Sequence, residues 1–162
     1  MRWLRGSSIF QPARSGDMTI IYNIDQQAGI TYVVWDGVVA AEPYIAHVKR
    51  LLADPDWPPA RGLHLSDLRS ASLDSTIDKT VLEKAVAMFR EHPKTPTVKT
   101  AIVAHGAFQQ ALLYERLVSS IEPSVIVFHN LDTACIWLGT DPAAAARELN
   151  SLRARAREES SP

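Results

Sequence analysis

Short β-forming runs alternate with amphipathic helical stretches from Thr19 almost to the end of the chain, and this order constrains the fold most strongly. The first two runs, TIIYNI and ITYVVW, are joined by a Gly-containing turn at 26–29, which indicates a β-hairpin. Each later strand is followed by a helix, and this alternation is typical of βαβ crossovers in a mostly parallel sheet. The sequence therefore predicts one α/β domain with a four- or five-stranded, mostly parallel sheet flanked by helices.

The boundaries of these elements follow from local signals. Pro43 suits the first turn of the first helix, and the proline-rich stretch 54–59 ends it. Asp74, Ser75 or Thr76 offers an N-cap for the second helix, which runs to about Glu91. The predicted strands are 19–24, 30–35 (closed by Asp36-Gly37), 62–68, 98–105 and 124–128, and the later helices are 106–121, 131–139 and 142–157.

Size and charge exclude several classes of protein. The chain has 162 residues, and about 150 residues per domain is usual, so one domain is expected. Seventeen basic against eighteen acidic residues give a net charge of -1, unlike the strongly positive field of a typical nucleic-acid binder. No apolar run approaches the ~20 residues of a membrane helix. We therefore expect a cytoplasmic protein with no nucleic-acid partner and no membrane span.

The two ends of the chain differ from its middle. Residues 1–17 are rich in Arg, Gly, Ser and Pro and show no repeating period, which predicts a disordered leader. The alternative is an interfacial anchor formed by four apolar side chains, Trp3, Leu4, Ile9 and Phe10. We place the domain at 18–140, a C-terminal helix at 141–158 and a polar tail at 159–162.

Motifs for common cofactors are missing from the sequence. No two of the five histidines have the i, i+4 spacing of a zinc site, and HExxH and CxxC do not occur. The phosphate-binding loops GxGxxG and GxxxxGK[ST] and the nucleophile elbow GxSxG are also missing. The single cysteine, Cys135, lies in an apolar helical stretch, which favours a buried, inert thiol. The sequence thus predicts no metal and no cofactor.

Polar residues follow several of the predicted strands and form the first candidate site. The carboxyl ends of parallel strands meet at one rim of a sheet, where ligands usually bind. That rim would collect two carboxylates, one guanidinium and two imidazoles, from Asp36, Asp67, Arg69, His105 and His129. Such a set could bind an anion or perform acid–base chemistry. The alternative is structural, with Asp36 as a turn residue and Asp67 and Arg69 as a simple ion pair.

The stretch LDST at 73–76 is the second candidate. A phosphate on Ser75 would be favoured by the free N–H groups at a helix N-terminus. The neighbouring carboxylates of Asp74 and Asp78 would repel it, and a capping role alone explains these residue types. The sequence therefore favours a structural cap over a phosphorylation site.

Helix 106–121 carries more apolar surface than one partner can cover. Phe108 and Leu112 point away from Leu113 and Leu117 at helical spacing. One face must meet the sheet, and the other needs the last helix, a second subunit or an apolar ligand. We predict homodimerisation or ligand burial at this helix.

Three sequence segments suggest a family. The stretches LHLSDLRSASLDST, KTAIVAH and VFHNLDTACIWLG, with the order of strands and helices, resemble the SpoIIAA-like proteins. This bacterial group has the STAS fold of anti-sigma factor antagonists, a fold also compared with the lipid-binding SEC14 fold. The resemblance covers about residues 18–140 and implies a sheet whose strands follow chain order. In the antagonists a serine at the start of the helix after the third strand is phosphorylated. Ser75 stands in a similar place, although its spacing from Asp67 is about one residue shorter and no glycine follows.

These observations leave three functional hypotheses. We expect a non-enzymatic regulatory or protein-binding module of STAS type, whose partner is another protein or a second copy of the chain. The alternative is a protein that binds an apolar small molecule or lipid, which should enclose an apolar cavity of roughly several hundred Å³. The third is a small enzyme, which should bring rim groups with shifted pKa values together.

Overall fold

A β-hairpin begins the fold, and each later strand adds to the same open edge. The computed structural model describes residues 18–119 and 124–160. The strands are β1 (Thr19–Asp25), β2 (Ile30–Val39), β3 (Leu63–Leu73), β4 (Lys99–Ala104) and β5 (Ser124–Phe128). The helices are α1 (Ala41–Ala53), α2 (Lys79–Glu91), α3 (Phe108–Val118), α4 (Leu131–Leu138) and α5 (Pro142–Ser160), with a 3₁₀ turn at Thr95–Thr97.

The sheet has the order β1-β2-β3-β4-β5. β1 and β2 are antiparallel, and every later pair of neighbours is parallel. The predicted α/β class, the mostly parallel sheet and the arrangement of strands in chain order are all confirmed.

Both faces of the sheet are covered by helices. Successive side chains of a strand point to opposite faces, so each strand contributes to two cores. The first face packs against α1, α2 and α3, and its fully buried side chains include Tyr22, Val33, Val48 and Leu51. The second face packs against α4 and α5, with Ile21, Leu65, Leu149 and Leu152 among its buried side chains. Burial on both faces explains why the strands read as nearly continuous apolar runs.

The prediction that Asp36-Gly37 closes the second strand is wrong. β2 continues to Val39, and β3 extends to Leu73 instead of ending at 68. β2 and β3 continue to pair with each other past the end of β4. Their register shifts between Val34 and Asp36. Gly37 has a φ of +84°. β3 has one more residue than β2 across this shift, so the β-bulge lies on β3, and Asp36 and Gly37 pair regularly with Ser70 and Ala71 instead of reversing the chain.

Two helix predictions also need correction. None of the three residues 74–76 caps α2, because Asp78 is its N-cap and accepts a hydrogen bond from the Val81 N–H at 3.0 Å. The third helix is shorter than the predicted 106–121 and ends at Val118. The predicted leader 1–17, Ile121 and the last two residues of the predicted tail lie outside the described residues.

The last helix forms part of the same packed unit as the sheet. It begins at Pro142 as predicted, and Asp141 accepts a hydrogen bond from the Ala144 N–H at 3.1 Å. α5 then runs back across the second face of the sheet and packs on β1, β2 and α4. Residues far apart in the chain, at its beginning and its end, are thereby brought into contact.

Candidate functional site

The structure brings two of the predicted rim residues together below the surface. Asp67 is fully buried on the second face of the sheet and accepts four hydrogen bonds. Arg69 donates three of them, from its backbone N–H (3.0 Å), Nε (2.9 Å) and Nη2 (2.9 Å), and Arg153 of α5 donates the fourth at 2.9 Å. Burial by itself would raise the pKa of the Asp67 carboxyl, but the two arginines outweigh it and hold that pKa below its usual range. This carboxylate is ionised, and its contacts connect α5 to the middle of the sheet.

A second pair forms at the exposed ends of β4 and β5. His105 Nε2 donates to the carbonyl oxygen of His129 at 2.9 Å, which requires the proton on Nε2. The His129 ring stacks on Phe108 with its centroid 3.9 Å away and an angle of 8° between the planes. Both histidines are exposed. Their contacts fix the loop after β5 against the first turn of α3.

Asp36 belongs to neither pair. It sits at the register shift between β2 and β3, where it pairs with Thr19 of β1 and Ser70 of β3. The five predicted rim residues thus form an ion pair on the second face, a histidine pair at the far strand ends and one separate carboxylate. The observed contacts are structural, and the rim as an anion-binding or catalytic site stays a prediction.

The turn before α2 holds the candidate phosphorylation site. Ser75 is exposed. Hydrogen bonds of the adjacent residues Asp74 and Thr76 hold the turn in place. Asp74 Oδ1 accepts hydrogen bonds from the Thr76 N–H (2.8 Å) and from the Thr76 hydroxyl, and Thr76 Oγ1 accepts one from the Ala41 N–H at 2.9 Å. The turn therefore positions the start of α1 as well as that of α2.

A cavity lies between the first face of the sheet and helices α1, α2 and α3. Its volume is about 90 Å³. Most of its wall is apolar, with aromatic rings at Trp35, Tyr44, Trp57 and Phe89. Its polar groups include three side chains on neighbouring strands, His64 and Ser66 of β3 and Thr100 of β4.

Both histidines in the cavity wall, His47 and His64, are neutral. His47 of α1 and His64 are both buried, and desolvation lowers the pKa of His47 to about 3 and that of His64 to about 4. The nearby positive charge of Arg50 and the neighbouring His64 lower the pKa of His47 further. His64 Nε2 lies 3.2 Å from Ser66 Oγ. The cavity is consequently lined by uncharged imidazoles at neutral pH.

Sequence reasoning did not select these cavity residues, although weak signals for them exist. His47 lies on the apolar stripe of α1, between Tyr44 and Val48. In LHLSDL, the polar side chains of His64 and Ser66 alternate with leucines and so share one face of a buried strand. A buried histidine on an apolar face is common in protein cores, so neither pattern alone identified a site.

The other reactive groups are placed as follows. Cys135 is fully buried, and burial together with nearby Asp132 and Asp141 raises the pKa of its thiol to about 11. Within residues 18–119 and 124–158, no group of three or more His, Cys, Asp or Glu side chains could hold a metal ion. No helix in the described part of the chain combines the length and apolarity needed to cross a bilayer.

Comparison with known proteins identifies the fold. No protein-family model and no curated protein sequence matches the chain. Among solved structures, an anti-sigma factor antagonist from Mycobacterium paratuberculosis superposes with a TM-score of 0.50 at 18% sequence identity, covering 75% of this chain and 94% of the antagonist. The fold is a SpoIIAA-like, or STAS, fold. An uncharacterised protein with a SpoIIAA-like fold from Shewanella loihica matches with a TM-score of 0.49 at 15% identity, over 80% of this chain and 99% of that protein.

In this STAS domain, the turn that carries Ser75 and the N-terminal end of α3 are neighbours. Gln110 of α3 donates to the carbonyl oxygen of Leu73 at 3.1 Å, just before that turn. The turn and the outer face of α3 therefore form one continuous surface. We call it the turn–α3 surface and define it as the turn at residues 73–78 together with α3, Phe108–Val118.

Proposed function

We propose that this STAS domain is a non-enzymatic regulatory module that works in the cytoplasm by binding another protein. The observation that carries the proposal is the fold shared with an anti-sigma factor antagonist over most of both chains. By that antagonist's name, its task is to oppose an anti-sigma factor, so the partner class proposed here is an anti-sigma factor.

The arrangement of the rim agrees with a binding role better than with catalysis. Asp67 already accepts hydrogen bonds from two arginines, and His105 already donates to a backbone carbonyl. A general base must reach the substrate proton that it removes, and a buried, ion-paired carboxylate does not meet that requirement. The cavity, at about 90 Å³, is far smaller than the roughly 300–1,000 Å³ of usual ligand sites. A lipid would not fit there in this conformation.

We place the partner on the turn–α3 surface. α5 packs on the opposite face of the sheet and leaves the outer side of α3 to solvent. Only Ala111 and Val118 of α3 are fully buried, while Leu112 is half-buried on the side of the exposed residues Gln109 and Arg116. A half-buried leucine on a polar helix face, beside an ordered exposed turn, suits a partner that buries a small apolar contact within a polar rim.

The test is a titration of the full chain with each anti-sigma factor of its host by isothermal titration calorimetry. We expect one of them to bind, and we expect Leu112→Arg to weaken that binding at least tenfold. The matched control is Ile136→Arg on α4, which changes an isoleucine that is 73% exposed on the other side of the sheet. This control should keep the affinity.

Each contrary result has its own meaning. If no anti-sigma factor binds, the partner class is wrong. If Ile136→Arg weakens binding and Leu112→Arg does not, the interface lies on α4 instead. Light scattering of the chain alone would show whether the same surface joins two copies, since Leu112→Arg should then convert the dimer to a monomer.

A further inference from the structure

The cavity on the first face of the sheet is unusual in how many unpaired polar groups surround it. Four ring nitrogens, on residues that line it, have no hydrogen-bond partner among the described residues: Nε1 of Trp35, Nε1 of Trp57, Nδ1 of His47 and Nδ1 of His64. All four side chains belong to residues that are at most 7% exposed. Buried polar groups are nearly always paired because an unpaired one costs free energy, so four around one cavity require an explanation.

The lining sets the charge of what could enter. The two histidines are neutral, and no lysine, arginine, aspartate or glutamate belongs to the wall. An ion would have to leave water without a counter-charge, which is strongly unfavourable. The occupant that suits this wall is uncharged.

The hydrogen-bonding groups set its polarity. The two indoles can only donate, and each neutral imidazole nitrogen donates or accepts according to its tautomer. At the sheet, the hydroxyls of Ser66 and Thr100 can do both. The aromatic rings in the wall favour a flat molecule. A small planar ring that both accepts and donates hydrogen bonds matches this set.

The volume sets its size. One water needs roughly 10–15 Å³ of such space, and an apolar cavity of about 150 Å³ takes up benzene. At about 90 Å³, the cavity has room for a ring of about five non-hydrogen atoms. We propose that it binds a small, neutral, planar heterocycle of the azole type, held between the aromatic walls and hydrogen-bonded to the polar groups of β3 and β4. This ligand site is independent of the protein-binding surface proposed above.

The experiment compares three five-membered rings. Pyrazole is neutral and has adjacent donor and acceptor nitrogens, cyclopentane is apolar, and pyrrolidinium carries a charge. Each is titrated into the full chain while the indole N–H signals are followed by NMR. We expect pyrazole to shift the signals of Trp35 and Trp57 saturably. The signal of Trp137 should not change, because Trp137 lies on the other face of the sheet. Cyclopentane should bind at least tenfold more weakly, and pyrrolidinium should give no saturable shift.

Two threonines on the same face of the sheet give a matched pair of variants. Thr31, His64 and Thr100 lie opposite one another on the neighbouring strands β2, β3 and β4. Thr100 lines the cavity, and Thr31 does not. Thr100→Val removes one hydroxyl at constant shape and should weaken pyrazole binding by roughly three- to tenfold. Thr31→Val should leave the affinity unchanged.

A third variant fills the space. Ala111→Val adds two methyl groups at the α3 wall and should abolish the shifts, and if it does not fold, the two threonine variants still decide. The proposal is wrong if pyrazole gives no saturable shift, which would leave water as the occupant. It is also wrong if cyclopentane binds as tightly as pyrazole, or if Thr31→Val and Thr100→Val weaken binding equally.

Discussion

The two buried histidines should make the stability of this protein depend on pH between about pH 6.5 and pH 4. In the folded state the pKa of His47 is about 3 and that of His64 is about 4, whereas an exposed histidine has a pKa of 6.5. Below pH 6.5 the unfolded chain therefore binds protons that the folded chain does not. Stability from the neutral histidines is fully present above pH 6.5 and is lost as the pH falls toward 4.

The size of the effect follows from these values. Between pH 7.5 and pH 4.5 each histidine should remove roughly 2 to 3 kcal/mol from the free energy of unfolding, or about 5 kcal/mol for both. A domain is typically stable by about 5–15 kcal/mol, so this loss should remove about a third or more of the stability at pH 4.5. Asp67 contributes in a separate, more acidic range, since its carboxyl pKa is lowered from 3.8 and its stabilisation is lost only as the pH falls below that value.

Urea denaturation at pH 7.5, 5.5 and 4.5, followed by tryptophan fluorescence, measures this dependence. Glutamine is polar but does not titrate, so His47→Gln and His64→Gln should each remove about half of the acid-induced loss, and the double variant should remove most of it. Leu82→Ala, at another buried residue of the cavity wall, is the control. It should lower stability by a similar amount at every pH, because it removes no titrating group.

The prediction is wrong if the stability of the wild-type protein changes by less than about 1 kcal/mol between pH 7.5 and pH 4.5. It would also be refuted if the double glutamine variant kept the full acid sensitivity. In that case other groups would cause the loss, and the two histidines would not be neutral in the folded state.

Three further predictions concern other parts of the chain. Asp67→Ala should cost about 3 kcal/mol in urea denaturation, because it leaves the mostly buried Arg153 side chain without its carboxylate, and a loss below about 1 kcal/mol would mean that the ion pair is not structural. Ser75→Ala should cost less than about 1 kcal/mol, because Asp78 caps α2, and should change partner binding only slightly, because it removes one hydroxyl and no apolar contact from the proposed surface. Stoichiometric phosphate on Ser75 after incubation with host lysate and ATP, together with altered partner binding, would contradict that expectation. Removing residues 2–17 should shift the melting temperature by less than about 5 °C, and a larger drop would show that this segment packs on the domain.

The architecture could be read from the sequence because hydrophobic periodicity reports which side of an element is buried. The alternation of strands and helices, the hairpin and the start of α5 at Pro142 all depend on neighbouring residues and were predicted from them. Errors occurred where local chemistry allows two outcomes. Asp36-Gly37 can form a turn or continue a strand, and four polar residues shortly before α2, at 74–76 and 78, can each act as a cap.

The sites were harder to predict because they depend on contacts between distant residues. Nothing near Asp67 indicates that Arg153, 86 positions later, reaches its carboxylate. Likewise, His47 and His64 belong to a helix and a strand whose separate patterns read as ordinary core. Their shared cavity appears only when α1 packs on β3, and no local pattern encodes that packing.

The path of α5 has a consequence for how the chain is made. Its contacts with β1 and β2 cover Ile21, Tyr32 and Val34, which leave the ribosome more than a hundred residues before the middle of α5 does. During synthesis the growing sheet therefore has one face closed by α1, α2 and α3 while its other face, around the first hairpin, still lacks its cover. Completion of that core has to wait until α5 has left the ribosome. A ribosome-stalled chain that stops before Pro142 should accordingly be sensitive to protease and bind chaperones that recognise apolar surface, and release of the full-length chain should end both.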